Sequence, residues 1–181
     1  MPIGSPQRLV LAALTLAALL PLPSPAPADE GDPAGWSVVV DPRKRAFLRY
    51  VAEAGGPRLL HIGCLRDVDE FFVAATGVEG LPDDGPGSGL TLTVPDADYV
   101  IYGNIAMDDE GRPAFNAEVD ADARALKKIA AELLPVLTAP GPVVLQVDNG
   151  EPVDLTLEDL PPRAGIAKPL ATFRKVCFGG K

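Results

Sequence analysis

The chain has 181 residues, with 16 Lys and Arg against 25 Asp and Glu, one His, two Cys and one Trp. One imidazole and two thiols cannot build a Cys₂His₂ or Cys₄ zinc centre or a two-histidine protease helix, so no metal ion or other cofactor is expected. A net charge of −9 and a pI near 4.5 disfavour nucleic acid as a partner, because phosphate binding needs concentrated Lys and Arg.

Met1 to Arg8 carries a single charged side chain, and Leu9 to Leu20 is an apolar run broken only by Thr15. At about 1.5 Å per residue this run covers roughly 18 Å, short of the roughly 20 residues that span a bilayer core. Pro21, Pro23, Pro25 and Pro27 then prevent a longer helix, and Ala26-Pro27-Ala28 precedes Asp29-Glu30. These features predict a signal peptide over 1–28, cleaved after Ala28, with no transmembrane anchor left afterwards. The expected location is periplasmic or extracellular. Taking 28 residues from the chain removes Arg8 alone among the charged side chains and leaves 153 residues with a net charge of −10. That length suits one domain, predicted over 36–178 after a linker at 29–35 and before a tail at 179–181.

Within the domain the apolar pattern is mostly of period two and is cut repeatedly by Gly, Pro and Asp, which predicts many short strands. Trp36 to Val40 is the first, ended by Asp41-Pro42, and Ala46 to Ala52 is the second, ended by Gly55-Gly56-Pro57. In the third, Leu60, Ile62 and Cys64 share one face and Leu59, His61 and Leu65 the other. Phe71 to Ala75 follows. Gly80 to Gly89, rich in Gly, Pro and Asp, reads as a flexible surface loop and a first guess for a recognition surface. Leu90 to Val94 and Tyr99 to Met107 are strands, and Asp108-Asp109-Glu110-Gly111 turns the chain into Ala114 to Val119. From Ala121 the period becomes helical, with Leu126, Ile129, Ala130, Leu133 and Leu137 on one face, Asp120 or Asp122 as cap and Pro140-Gly141-Pro142 as stop. Val143 to Val147 and Val153 to Leu157 flank Asp148-Asn149-Gly150, a hairpin signal. A last helix from about Ala167 to Phe178 repeats Ile166, Leu170, Phe173 and Cys177 at helical spacing. The expected fold is mainly β: an antiparallel β-sandwich or barrel of about eight or nine short strands, with one inserted helix and one C-terminal helix.

Export would place Cys64 and Cys177 in an oxidising compartment, and their positions on apolar faces of an early strand and the last helix predict one disulfide between them. They lack C-x-x-C spacing, which favours a structural bridge over a redox pair.

No complete catalytic constellation is legible. His61 sits mid-strand without a visible partner, and no G-x-S-x-G elbow accompanies it. Asp67, Asp69 and Glu70, with His61, are the residues that would carry an acid-residue hydrolase. Asp83-Asp84, Asp96 with Asp98, and Asp108-Asp109-Glu110 match no calcium-loop spacing, and turn chemistry accounts for them.

Trp36 opening the domain, Cys64 closing an early strand, and Leu170, Phe173 and Cys177 in a final helix give a layout that resembles a loose group of small exported bacterial proteins, the invasion-associated and type VI secretion-associated (VasI-like) periplasmic proteins. The resemblance covers most of 36–178 and consists mainly of spacing. It implies a periplasmic β-rich domain with a structural disulfide and a role in envelope interactions, and it carries over no enzymatic residues. The leading expectation is therefore an exported, non-enzymatic domain that binds a protein or other envelope component. The alternatives are an acid-residue hydrolase of unknown substrate and a small-ligand-binding periplasmic protein. Oligomeric state is not legible.

Overall fold

The computed structural model of the chain describes residues 32–148, 150–155 and 165–179. The signal peptide over 1–28, its cleavage point, Asn149 of the expected hairpin and the end of the strand expected over Val153 to Leu157 lie outside the described residues.

Among the described residues nine antiparallel strands form one curled sheet, a half-barrel accompanied by two helices. The strands are β1 (Gly35–Asp41), β2 (Arg45–Val51), β3 (Arg58–Leu65), β4 (Glu70–Thr76), β5 (Gly85–Val94), β6 (Ala97–Met107), β7 (Pro113–Asp120), β8 (Val144–Val147) and β9 (Val153–Asp154). Their order is β1-β2-β3-β4-β7-β6-β5-β8-β9. Helix α1 (Ala123–Thr138) is inserted between β7 and β8, and α2 (Ala167–Cys177) follows β9. Of the expected sandwich or barrel, the chain makes the barrel in half-open form, with the helices doing what a second sheet would do.

Register places the alternating apolar residues in rows across the strands. Leu48, Ile62, Val73 and Ala117 pair in turn across β2, β3, β4 and β7, and all are buried. Ala46, Cys64 and Phe71 form the neighbouring row, and Ala75, Phe115 and Ile105 another. A one-residue slip would turn every one of these side chains to the opposite face, so burial of one face fixes the pairing. The helices cover that face. Helix α1 contributes Leu126, Leu133, Val136 and Leu137, and α2 contributes Leu170, Phe173 and Cys177, to the same core. Helix α1 packs over β5 and β6, and α2 over β1 and β2. Asp122 caps α1, its carboxylate accepting the N–H groups of Arg124 and Ala125 at 2.9 and 2.7 Å. Among the described residues no helix is long and apolar enough to cross a membrane.

The expected loop over Gly80 to Gly89 is corrected in its second half. Gly85 to Gly89 begins β5, where Ser88 is buried and Gly89 pairs with Tyr102 of β6. A register irregularity between Pro86 and Ser88 leaves Gly87, at φ 70°, as the extra residue. Gly103 of β6 must lack a side chain, because a Cβ there would lie 2.2 Å from the Asn116 carbonyl oxygen.

Candidate functional site

The sheet face turned away from the helices carries the lone imidazole. Period two puts His61 of β3 beside Arg49 of β2 and Ala74 of β4, and Ala74 in turn beside Asn116 of β7. Two residues along, Phe47, Gly63 and Phe72 form the next row. Gly63 is the gap into which the Phe72 ring folds, since a Cβ at 63 would stand 1.9 Å from that ring. The ring thereby meets His61 edge-on at 5.0 Å between centroids, and Phe47 lies 5.6 Å from His61 on another side. The imidazole is thus half-buried in an aromatic nest that the missing side chain at 63 creates.

Charged groups complete the surroundings. The Arg49 Nε donates to His61 Nε2 at 3.5 Å, and Arg49 Nη1 donates to Asp32 Oδ1 at 3.0 Å. Arg58 Nε donates to the other oxygen of Asp32. Asp32 is therefore shared by two guanidinium groups. Burial raises its carboxyl, but the hydrogen bond from Arg58 and the charge of Arg49 outweigh this, so it is held below the usual carboxylate range. Burial, then the positive charges of Arg49 and Arg58, push His61 down to about 4 against the weaker pull of Asp32. At neutral pH it is an uncharged imidazole whose Nε2 lone pair is occupied.

His61, Asp32 and Arg58 line an open groove of about 580 Å³ that runs to the β6–β7 hairpin, where Asp108, Asp109, Glu110 and Arg112 form its far wall. That wall is internally paired. Arg112 meets Asp108 at 3.1 Å and Glu110 at 2.6 Å, and Asp108 Oδ1 accepts the N–H groups of Glu110 and Arg112 at 2.9 and 2.8 Å. Those backbone bonds, with the Arg112 guanidinium, hold Asp108 low and account for it as a turn residue.

The hydrolase candidates do not assemble. Asp67, Asp69 and Glu70 lie at the opposite end of β3 from the groove, around the β3–β4 turn. Asp67 is bound by Arg45, whose Nε reaches it at 2.8 and 3.1 Å and whose Nη2 reaches it at 2.6 Å, and this bond lowers its pKa. Asp69 has φ 52°, and its carbonyl accepts the Ala121 N–H at 2.6 Å, so it shapes the turn before α1. Glu70 pairs with Asp120 in the β4–β7 ladder. Asp32, Arg49 and Arg58 were not singled out by the sequence: Asp32 falls in the expected linker, and the arginines read as ordinary polar strand positions. The signal that could have found Arg49 is face parity, because Arg49 and His61 both lie opposite the Cys64 face, whereas Arg58 has the parity of Leu60 and Cys64 and follows a register irregularity in the β2–β3 pairing.

Cys64 and Cys177 do meet. Both are fully buried, and their sulfurs are 2.7 Å apart, longer than a disulfide bond. Burial pushes the Cys177 thiol up, and the Arg66 guanidinium donates to the Cys177 carbonyl at 3.5 Å. Among the described residues no group of three or more His, Cys, Asp or Glu is placed to hold a metal ion.

No model of a known family and no curated protein matches the sequence. Among solved structures, the chain is similar to invasion associated protein B from Bartonella henselae, at 14% identity and a TM-score of 0.42, over 81% of this chain and 96% of that one.

Proposed function

We propose that the chain is an exported domain of the bacterial envelope that acts by binding a protein or other envelope component, not by turning over a substrate. The observation that carries this reading is the state of the groove around His61. Its imidazole is neutral with its lone pair engaged, Asp32 is held ionised by two arginines and Asp108 by backbone N–H groups and Arg112, so none of the three stands ready to exchange a proton near neutral pH. A groove of this kind can recognise a surface but supplies no acid–base pair. Affinity capture from envelope extract with the exported chain is expected to return a specific partner. No partner above background, together with a hydrolytic activity that His61→Gln abolishes, would replace this reading with the hydrolase.

The same reading makes Cys64 and Cys177 the covalent staple of the domain. The two side chains meet in the core, and both are fully buried, which is what supports the reading. The bridge would form before α2 docks, by exchange with a donor disulfide that leaves as two thiols while the S–S bond passes to this chain.

One observation favours a second reading, a carrier of a small polar molecule. Trp36 and Tyr50 pack at 5.1 Å on the core face, and both the indole N–H and the phenol OH are buried without a partner among the described residues. Such orphaned groups are costly unless something fills them. A ligand-dependent rise in melting temperature, lost in Trp36→Phe and Tyr50→Phe, would establish this reading, and no response across a panel of small envelope metabolites would remove it.

A further inference from the structure

We propose that the open edge of β1, with the groove between it and α2, is a docking site for an extended acidic peptide segment that adds to the sheet as a strand. This rests on the binding-domain reading and names its surface. Strand β1 ends the sheet order, so among the described residues its outer backbone N–H and C=O groups face no neighbouring strand. Natural edge strands of this length are guarded by Lys, Pro or a bulge. Here Trp36 to Val40 carries none of these, and Val39 and Val40 are 42% and 45% exposed. A strand edge offers a ladder of donors and acceptors that another backbone matches, which is why peptide is the favoured partner.

The groove supplies the specificity. It has a volume of about 540 Å³ and combines the apolar Val40, Pro42 and Val176 with the cations Lys44, Arg66 and Lys175, against the single carboxylate of Asp41. In a chain of net charge −9 this is a local reversal of sign. Among the described residues neither Lys44 nor Lys175 forms an ion pair, and Arg66 reaches only a carbonyl. Because α2 overlies β1, the core-facing side chains of an added strand would meet the flank of that helix, and its acids would fall among the three cations.

Lys44 itself points the same way. It adopts φ 62° in the β1–β2 turn, a left-handed conformation in which Gly or Asn sits with less strain. The turn needs only its backbone there: the Lys44 N–H donates to the Asp41 carbonyl at 3.2 Å, and the Lys44 carbonyl accepts the Arg66 N–H at 3.4 Å. Glycine would keep both bonds. A lysine held in a glycine's conformation at the mouth of the groove is accounted for by what its ammonium does.

That substitution gives the test. A random short-peptide library is selected on the immobilised full chain, and the winners are titrated against the wild type and Lys44→Gly. Enrichment of β-branched or apolar residues next to Asp or Glu is expected. The winners should perturb the backbone amide resonances of Ser37 to Asp41, and Lys44→Gly, with an undiminished melting temperature, should bind them about tenfold more weakly. No enrichment, or winners that bind Lys44→Gly equally and leave β1 unperturbed, would overturn the site. Binding of the chain to anionic phospholipid vesicles, lost in Lys44→Gly without any peptide enrichment, would overturn it in favour of a lipid. An envelope partner captured equally by wild type and Lys44→Gly would leave the binding-domain reading standing and refute this surface alone.

Discussion

His61 owes its low basicity to burial first and to the charges of Arg49 and Arg58 second, and Gly63 contributes to the burial by letting Phe72 fold against the imidazole. The linkage to stability has a definite sign. The folded pKa of about 4 lies below the ordinary value of 6.5, so the unfolded chain takes up the proton first as pH falls. The stability associated with neutral His61 is therefore complete above pH 6.5 and is lost progressively down to pH 4. Its ceiling is about 3 kcal/mol by the pKa difference. Denaturant titrations of wild type and His61→Gln across that window should differ in slope, the wild type losing more stability on acidification. Parallel profiles would show that the imidazole is not desolvated as the geometry requires.

At the level of elements, the fate of α2 depends on Cys177. The helix has no side-chain cap at its N-terminus and lies against β1 and β2 through Leu170, Phe173 and Cys177. A bridge to Cys64 closes a loop of over a hundred residues, which the chain-entropy model values at about 4–5 kcal/mol before strain is subtracted. Cys64→Ser or Cys177→Ser should each lower unfolding free energy by a few kcal/mol and leave one titratable thiol in the denatured, unreduced protein. Two titratable thiols in the wild type would show that the bridge is absent. The strands and both helices were legible in the sequence because each buries one face, and burial writes its period into the residues: Leu90, Leu92 and Val94 alternate as a half-buried strand must, and Leu126, Leu133 and Leu137 recur as a helix must. The first half of β5 was not legible, since Gly85, Gly87 and Gly89 have no side chains from which a period could be read and Pro86 argues against a strand. The site was half legible. The sole imidazole drew notice, but Arg49 comes from β2, Asp32 from the residues before β1 and Arg58 from the far end of His61's own strand, and only the folded sheet brings them together.

Across the whole molecule the two faces of one sheet divide the work. The core face takes the apolar residues, the helices and both thiols, and the other face takes His61 and the paired charges. Three further cations, Lys44, Arg66 and Lys175, lie together at the β1 edge, where the sheet ends. The strand order also bears on how such a sheet can be assembled. For a chain delivered N-terminus first, β1 to β4 can zip together as successive hairpins, since they are neighbours in both sequence and space. The β5–β6 hairpin that comes next has no place to dock, because β7 must lie between β4 and β6. The open edge of β4 therefore waits until residue 120 has emerged, and the Cys64 thiol waits longer still, until the last helix arrives. Such a chain would spend its synthesis or translocation as two separate ribbons. The β7 strand, joined to β4 on one side and β6 on the other, is the seam that makes them one sheet.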